Sequence, residues 1–469
     1  MGKLSASAVI LCSIVIVLSP LLFADDASGR SLSSNVISLN QFGIDQTDSM
    51  YTTDGQGIIW GTSVGNAYTI IPGTGRESFL LKFGDAINLG DWNIGHQLFL
   101  DKVDEEGQIA WSKTFSAGSF GQPSPGTNGT VSLAVEEYDQ LNSSFVVVLY
   151  HLDECGETAW KTEVSRSQNH LFDISKWSIV DGNGTIFFRV TEVKIPELQN
   201  DDCSVYAVSS TGQVLWNKGL PLPSGLGACA AMNDEGNLII MVPKEKMLSL
   251  DADGIVLWEH PLPDVGSDFF TIIGIGPSGN IYVCDEFHLY VFDEDGEPLW
   301  TIGLDGWRRG GFSLDENDTI YVSLYDSENG WGLYAYGSDG DLLWVKHLDT
   351  LSEIPIIVGS VIIFSSSDHI YGSDHNGSIL WSYDAGDYVT DMKMCEDGTL
   401  LFLVGSSEHG HKLVASVGVP EVTLIEWISR NIIWIALILS TSVIGAYTIW
   451  FKFIRRKHDR VGQDPKEQK

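Results

Sequence analysis

Between about residues 50 and 420 the chain alternates short apolar runs with polar turns that contain glycine. One phrase recurs, a polar turn ending in glycine, then three residues, then tryptophan, as in Asp251-Ala-Asp-Gly254-Ile-Val-Leu-Trp258. Asp or Ser before glycine favours a hairpin turn, because the side chain bonds the backbone and glycine adopts a positive φ freely. The phrase therefore predicts strands on both sides of each turn, with the tryptophan as a structural residue packed against a neighbouring repeat. The seven copies contain Gly107 and Trp111, Gly156 and Trp160, Gly212 and Trp216, Gly254 and Trp258, Gly296 and Trp300, Gly340 and Trp344, and Gly377 and Trp381.

A second element, a glycine or polar turn before an apolar strand, occurs eight times. The tryptophans recur every 45 residues on average, a period that suits four short strands with their turns and is typical of propeller blades. Residues 30–420 hold eight blades of this length, so the pattern favours an eight-bladed all-β propeller, with seven blades as the alternative. The eight elements begin at Gly57, Thr130, Thr185, Asn237, Asn280, Thr319, Ser360 and Thr399.

The last repeat has no tryptophan phrase, and the strand-like segment Asn35-Val-Ile-Ser-Leu39 stands before the first repeat. A ring can close when an N-terminal strand joins the final blade, which removes free sheet edges. We therefore expect this segment to close the ring.

The two ends of the chain have a different pattern. Lys3, an apolar stretch and then two acids are typical of a secretory signal peptide, with an uncleaved anchor as the alternative. The 21 residues Asn431–Phe451 carry no charge and are long enough to span a bilayer, and bases follow at once, which places the C-terminus in the cytoplasm. The expected order is a signal peptide at 1–24, an extracytoplasmic propeller at 25–420, a juxtamembrane stalk at 421–430, a transmembrane helix at 431–451 and a basic cytoplasmic tail at 452–469. This is the order of a single-pass type I cell-surface protein.

Charge narrows the range of partners. The chain has 62 acids and 27 bases, and residues 25–427 hold 59 of those acids and only 18 of those bases. A surface this acidic repels phosphate, which excludes nucleic acid as a partner of the propeller. Exported cysteines are isolated, so one or two disulfides and buried free thiols both remain open. The five cysteines are Cys155, Cys203, Cys229, Cys284 and Cys395, and the expected glycosylation sequons are at Asn128, Asn142, Asn183, Asn317 and Asn376.

The Asp-x-x-Gly-x-x-x-Trp phrase resembles that of pyrroloquinoline-quinone-like (PQQ-like) propeller repeats. This family includes quinoprotein alcohol dehydrogenases and bacterial outer-membrane assembly propeller lipoproteins. The resemblance covers about residues 50–420 and implies a PQQ-like β-propeller. For an active quinoprotein it implies a tryptophan floor, an adjacent Cys-Cys disulfide and calcium held by Glu, Asn and Asp. The chain has no Cys-Cys pair, and no calcium set can be matched, so we expect neither PQQ nor calcium as a cofactor.

Other candidate sites are weak. The acid pairs Asp251/Asp253 and Asp293/Asp295 are too few for calcium and read as hairpin turns. His409 and His411 beside Glu408 lack the further ligands that a metal site needs. Trp307, Arg308 and Arg309 form an unusual basic segment that can contact an anion or other ligand, with local ion pairing as the alternative. No motif of a hydrolase, nucleotide site or zinc protease is present.

These observations favour a membrane-anchored propeller that acts as a non-catalytic binding or assembly scaffold for proteins or glycans. The alternatives are a divergent PQQ- and calcium-dependent quinoprotein oxidoreductase and an extracytoplasmic ligand sensor. A propeller is a scaffold that supports unrelated activities, so the repeat alone does not decide among them.

Overall fold

Apolar runs and glycine turns build eight antiparallel sheets, which are the blades of an all-β propeller. In the computed structural model the chain divides into two compact units, Met1–Gly418 and Val419–Lys469, and all described residues lie in the first. The eight blades confirm the eight-bladed prediction over the seven-bladed one. The structure describes residues 36–38, 58–65, 67–90, 93–194, 199–220, 228–262, 265, 271–304, 306–350, 354–395, 397–406 and 410–417.

The strands follow one another through the blades in chain order, apart from two N-terminal strands that join blades 7 and 8. These two are β1 (Val36–Ser38) and β2 (Ile58–Gly65). Blades 1 to 4 contain β3 (Ala67–Pro72), β4 (Ser78–Gly90), β5 (Asn93–Val103) and β6 (Ile109–Ala117); β7 (Ser124–Pro125), β8 (Val131–Asp139), β9 (Ser144–Leu152) and β10 (Thr158–Ser167); β11 (His170–Val180), β12 (Ile186–Lys194), β13 (Gln199–Val208) and β14 (Val214–Gly219); and β15 (Cys229–Met232), β16 (Leu238–Val242), β17 (Lys246–Leu250) and β18 (Val256–Pro261). One 3-10 turn, Thr127–Gly129, lies between β7 and β8 of blade 2.

Blades 5 to 8 repeat the four-stranded arrangement of blades 1 to 4. The strands of these blades are β19 (Ile272–Ile275), β20 (Ile281–Cys284), β21 (His288–Phe292) and β22 (Pro298–Gly303); β23 (Trp307–Leu314), β24 (Ile320–Asp326), β25 (Gly330–Tyr336) and β26 (Leu342–Leu348); β27 (Ile356–Val358), β28 (Val361–Ser366), β29 (His369–Ser373) and β30 (Ile379–Asp384); and β31 (Val389–Met394), β32 (Thr399–Ser406) and β33 (Gly410–Val417).

The first strand of each blade lies on the inside of the ring, and we call the four strands A to D from inside to outside. Neighbouring A strands contact each other, as β3 does with β31 and β7, and β15 with β11 and β19. Buried side chains fill the space between facing sheets, for example Phe79 of blade 1 with Leu133 of blade 2. The core is therefore a set of layers between blades, each closed by apolar residues of two sheets.

In blades 1 to 6 the tryptophan of the D strand packs on the glycine turn of the following blade. Trp216 lies over Gly254, whose φ is +76°, and an added Cβ there would lie 2.7 Å from the indole. Its Nε1–H donates to the carbonyl of Ala252, 2.8 Å away. The same bond, at 2.7–3.1 Å, joins Trp111 to Glu154, Trp160 to Ser210, Trp300 to Ser338 and Trp344 to His375.

The ring is closed by a different strand from the one that the sequence predicted. Strand β2 (Ile58–Gly65) pairs antiparallel with β33 and is the D strand of blade 8. The segment expected in that place, Asn35–Leu39, instead contributes β1, which adds in parallel to β30 as a fifth strand of blade 7. The apolar run after Gly57 was also counted as the turn-and-strand element of the first repeat. In the other repeats this element is the B strand, and in blade 1 the B strand is β4, starting at Ser78.

Strand β2 also supplies the missing tryptophan repeat. In every D strand the register shifts by one residue just before the tryptophan, as between Val256 and Trp258. The same shift lies between Ile58 and Trp60, which is opposite Ala415. Trp60 is thus the eighth tryptophan by register, and the phrase was not recognised because Gln56 stands where the other repeats have glycine.

Replacing Gly254 by alanine should destabilise the ring more than replacing Gly236. Both glycines have positive φ values, +76° and +82°, but nothing lies within 4 Å of a Cβ at Gly236. Gly236→Ala therefore carries only the backbone cost of about 1–2 kcal/mol, while Gly254→Ala adds overpacking against Trp216 of about 1–3 kcal/mol. Thermal unfolding midpoints of the purified full chain measure the difference. Equal midpoints in the two variants would contradict the docking contact.

Removal of β2 should abolish cooperative unfolding, whereas removal of β1 should not. A chain starting at residue 40 keeps β2, and a chain starting at residue 66 exposes the unpaired edge of β33. Both are expressed behind the same cleavable leader and followed by circular dichroism on heating. A sharp transition in the shorter chain would show that blade 8 is stable without its D strand.

Candidate binding face

The propeller has two faces that are built differently. The turn face is formed by the A–B turns and the C–D turns, the latter at 104–107, 153–156, 209–212, 251–254, 293–296, 337–340 and 374–377. The loop face is formed by the B–C loops and the connections between blades, including 139–144, 242–246, 284–288, 326–330, 366–369, 167–170 and 384–389. The segments on the loop face vary more in length than the turns on the turn face. Binding residues are commonly carried by such variable loops on a rigid scaffold.

Acidic side chains on the turn face are used in hairpin geometry. Asp251 Oδ1 accepts the backbone N–H groups of Asp253 and Ile255 at 3.0 and 2.8 Å. Asp293 makes the same pair of bonds to Asp295 and Glu297. The acid pairs that sequence analysis interpreted as hairpin turns therefore lie in hairpin turns.

The loop face exposes large apolar side chains. Leu141 is 96% exposed at the B–C loop of blade 2, and Phe287 is 52% exposed at that of blade 5. Tyr325 at the end of β24, Ile354 before β27 and Tyr388 before β31 are also exposed. We call Phe287, Tyr325, Ile354 and Tyr388, which follow one another through blades 5 to 8, the apolar arc. Aromatic side chains of this kind are enriched at protein interfaces.

Two of the exposed apolar side chains, Phe287 and Leu141, each lie on a loop that its own aspartate closes. Asp285 is buried, and its Oδ1 accepts the N–H groups of Phe287 and His288 at 2.8 and 2.7 Å, while Tyr290 donates to its Oδ2. Phe287 is therefore presented to solvent by a closed turn.

The same arrangement presents Leu141. Asp139 accepts the Leu141 N–H at 3.1 Å and a side-chain bond from Asn142 at 2.7 Å. Asn142 and Arg166 together lower the pKa of Asp139 to about 2, so this carboxylate is ionised at any physiological pH.

Blade 7 brings together three side chains that sequence analysis did not single out. Asp368, His369 and Asp384 place their ligating atoms within 4.8 Å of one another on the loop face. His369 Nδ1 lies 2.6 Å from Asp368 Oδ1, and this hydrogen bond lowers the pKa of Asp368. Asp384 is 15 positions after His369 in the chain and meets it through the pairing of β29 with β30, so no local spacing motif marks the cluster.

The basic segment expected to contact a ligand lies at the start of β23. The backbone of Trp307 is opposite Tyr325, and that of Arg308 is opposite Leu324, which places Arg309 next along the inner strand of blade 6. Their side chains lie outside the described part of the structure, so ligand contact by Trp307, Arg308 and Arg309 stays a prediction.

The five sequon asparagines are all exposed. Asn128, Asn183 and Asn317 lie on A–B turns and Asn376 on a C–D turn, so four lie on the turn face. Asn142 lies on the loop face and bonds Asp139. Their exposure is what glycosylation requires, and the modification itself stays a prediction.

Among the described residues, no disulfide joins the five cysteines. Cys203, Cys284 and Cys395 are buried, and Cys155 is exposed. Of the two alternatives that sequence analysis left open, buried thiols outside disulfides describe the first three. His411 is buried on β33, whereas Glu408 and His409 lie outside the described residues.

Comparison with known proteins identifies the repeat. Residues 285–417, from the B–C loop of blade 5 to the end of β33, match the family model described as outer membrane protein assembly factor BamB. Residues 285–417 are therefore similar to PQQ-like repeats, and they lie within the eight-bladed propeller. No curated protein sequence shows significant similarity to it.

Three solved structures are similar to this propeller. BamB from Moraxella catarrhalis is 15% identical, with 72% of this chain and 99% of that chain covered and a TM-score of 0.46. Saccharomyces cerevisiae Sqt1 is 12% identical, with 75% and 99% covered and a TM-score of 0.48. The computationally designed Ika8 protein is 12% identical, with 75% and 98% covered and a TM-score of 0.49.

Replacing Asp285 by alanine should loosen the loop that carries Phe287. The amides of Phe287 and His288 lose a charged acceptor, and such bonds are worth about 1.5–3 kcal/mol, so their hydrogen exchange should accelerate about tenfold or more. Exchange mass spectrometry of the full chain resolves this region. The turn at Asp251 in the same variant is the internal control, and unchanged exchange at residues 286–288 would show that another contact holds the loop.

Proposed function

We propose that this PQQ-like propeller is a non-catalytic scaffold that binds partner proteins through the apolar arc of its loop face. The observation that supports it most directly is the exposure of Phe287 and Tyr388 on backbone that is already hydrogen-bonded. Phe287 stands on the turn closed by Asp285, and the Tyr388 carbonyl accepts the Gly405 N–H at 2.9 Å. Binding then orders little backbone, and affinity gains from that preorganisation.

Side-chain chemistry favours a protein as the partner class. Aromatic and apolar residues at the centre of an interface carry most of its binding energy, while surrounding polar residues exclude water. The arc has this composition, with Glu286 and His288 beside Phe287 and Asp387 beside Tyr388. Glycans are the second partner class expected from sequence, since aromatic rings also stack on sugars.

The turn face is poorly suited to the same role. Its C–D turns carry acids at most positions that are not occupied by glycine, and four of the five exposed sequons lie there. Glycans at those positions would cover the turn face and leave the apolar arc open. Because a partner of the turn face must be cationic and must avoid glycans, the loop face is the better docking surface.

The location proposed for the scaffold is the extracytoplasmic side of a membrane, with residues 431–451 as a single span and 452–469 as a cytoplasmic tail. This rests on the charge-free run and the bases that follow it. No helix within the described part of the chain is long and apolar enough to cross a bilayer, and residues 431–451 lie outside that part. The matching family model describes an assembly factor of the outer membrane, which agrees with an envelope role.

Site-specific photo-crosslinking in the producing cell tests the scaffold proposal. A photoreactive residue at position 287 or 388 should trap the same partner protein. Position 257 is the control, because Leu257 is 51% exposed on the outer strand β18, away from the loop face. Phe287→Asp should remove the adduct formed from position 388, because a charge in the interface centre costs several kcal/mol when it is desolvated without a partner.

The same experiment can overturn the proposal. Identical adducts from positions 287 and 257 would show non-specific contact. An adduct from position 388 that survives Phe287→Asp would show that Phe287 and Tyr388 do not belong to one interface. Tightly bound quinone in the purified full chain, with turnover of an alcohol, would favour the quinoprotein alternative.

A further inference from the structure

The cluster of Asp368, His369 and Asp384 lies where the B–C loop of blade 7 meets the end of its D strand. His369 begins β29 and is the register partner of Asp384, the last residue of β30. Asp368 immediately precedes His369 and shares a 2.6 Å contact with it. Two carboxylates and one imidazole thus converge within 4.8 Å, and all three are partly exposed.

The backbone around the cluster is held by hydrogen bonds to three other residues, Thr350, Ala385 and Val389. Asp368 accepts the N–H of Ala385 at 2.7 Å, which holds the two aspartates beside each other. Ser367, with φ at +57°, donates its N–H to Thr350 Oγ1 at 2.6 Å and accepts from Val389 at 3.1 Å. The backbone that carries the three side chains is therefore held by the fold before any ion arrives, which favours a binding site. An ion that both His369 Nδ1 and Asp368 bind displaces the proton that these two atoms share.

Two carboxylates beside a single histidine make the local charge negative. Among the described residues, no Lys or Arg forms an ion pair with Asp368 or Asp384. The His369 ring stacks on Tyr371 at 5.9 Å, which restricts the imidazole.

We propose that Asp368, His369 and Asp384 bind a divalent first-row metal ion, with Zn²⁺ as the best-fitting ion. Zinc takes His nitrogen and carboxylate oxygen together, and three protein ligands leave a coordination position for water or for an oxygen of a docked protein. Calcium and magnesium prefer oxygen ligands alone, and calcium takes six to eight of them, so the imidazole argues against both.

Two other His–Asp contacts in the propeller show what is particular about this cluster. His288 lies 3.5 Å from Asp285, and His375 lies 3.0 Å from Asp315. The oxygens of Asp285 accept the loop amides and Tyr290, and those of Asp315 accept the turn amides and Tyr321. Asp384 accepts the Gly386 amide through Oδ1 at 2.9 Å. Within the described residues, blade 7 alone brings three ligating groups together.

Zinc titration of the purified full chain, with any affinity tag removed, tests the site. Isothermal calorimetry should give one saturable site per chain, and Co²⁺ should give visible d–d absorption bands that indicate an ordered coordination sphere. His369→Ala and the isosteric Asp384→Asn should each weaken zinc binding at least about tenfold, since even outer partners of a metal change affinity by that factor. The matched control, His288→Ala, should leave affinity unchanged.

Thermal unfolding without metal shows whether each variant is folded, so lost binding in a folded Asp384→Asn chain is attributable to the ligand. The proposal fails if neither variant changes zinc affinity, if His288→Ala weakens it equally, or if excess Ca²⁺ displaces Zn²⁺ completely. Each of these results would assign the ion to the acidic surface at large. Because the readout is metal binding, it is independent of partner crosslinking at the apolar arc.

Discussion

The indole of one blade resting on the glycine turn of the next is the contact on which the ring depends. Trp216 needs glycine at position 254, because any Cβ there would occupy the volume of the ring. Its N–H needs the Ala252 carbonyl, because an indole donor removed from water without a partner is costly. Both requirements fall on one four-residue turn. Repetition of that turn fixes the distance and orientation of each blade relative to its neighbour.

Closure of the ring is constrained by the same contact. Trp381 of blade 7 lies over Gly372 of its own blade. In the following blade 8, β33 and β2 are separate chain segments, so no C–D turn joins them. In the described structure the indole N–H of Trp381 has no partner, and the residue is 9% exposed. The seam is instead held by the pairing of β2 with β33 and by Tyr383 packing edge-on against Phe402 at 5.6 Å. At this seam, the pairing of two strands that are far apart in the sequence thus replaces the local contact between tryptophan and turn.

The parts of this fold that could be predicted from sequence are those encoded locally. Glycine at a fixed distance from tryptophan predicts the turn, the D strand and the blade period, because all three depend on a few adjacent residues. The strand that closes blade 8 could not be assigned in this way, since β2 meets β33 only through a pairing about 350 residues away in the chain. Trp60 lacks the preceding glycine and therefore carried no local signal. The Asp368, His369 and Asp384 cluster was missed for a related reason, because only strand register brings Asp384 to His369.

Tryptophan docking also decides which face of the propeller is free to acquire a binding role. On the turn face, a C–D turn must keep glycine under the indole, a carbonyl toward its N–H and commonly an aspartate over its own amides, as the turn of Asp251 does. Substitution there disturbs two blades at once. On the loop face, Asp285 closes its own loop through the amides of Phe287 and His288, so Phe287 at the tip can change with little effect on the ring. Blade packing thus restricts variation on one face and permits it on the other, and the apolar arc and the blade 7 cluster both lie on the permissive face.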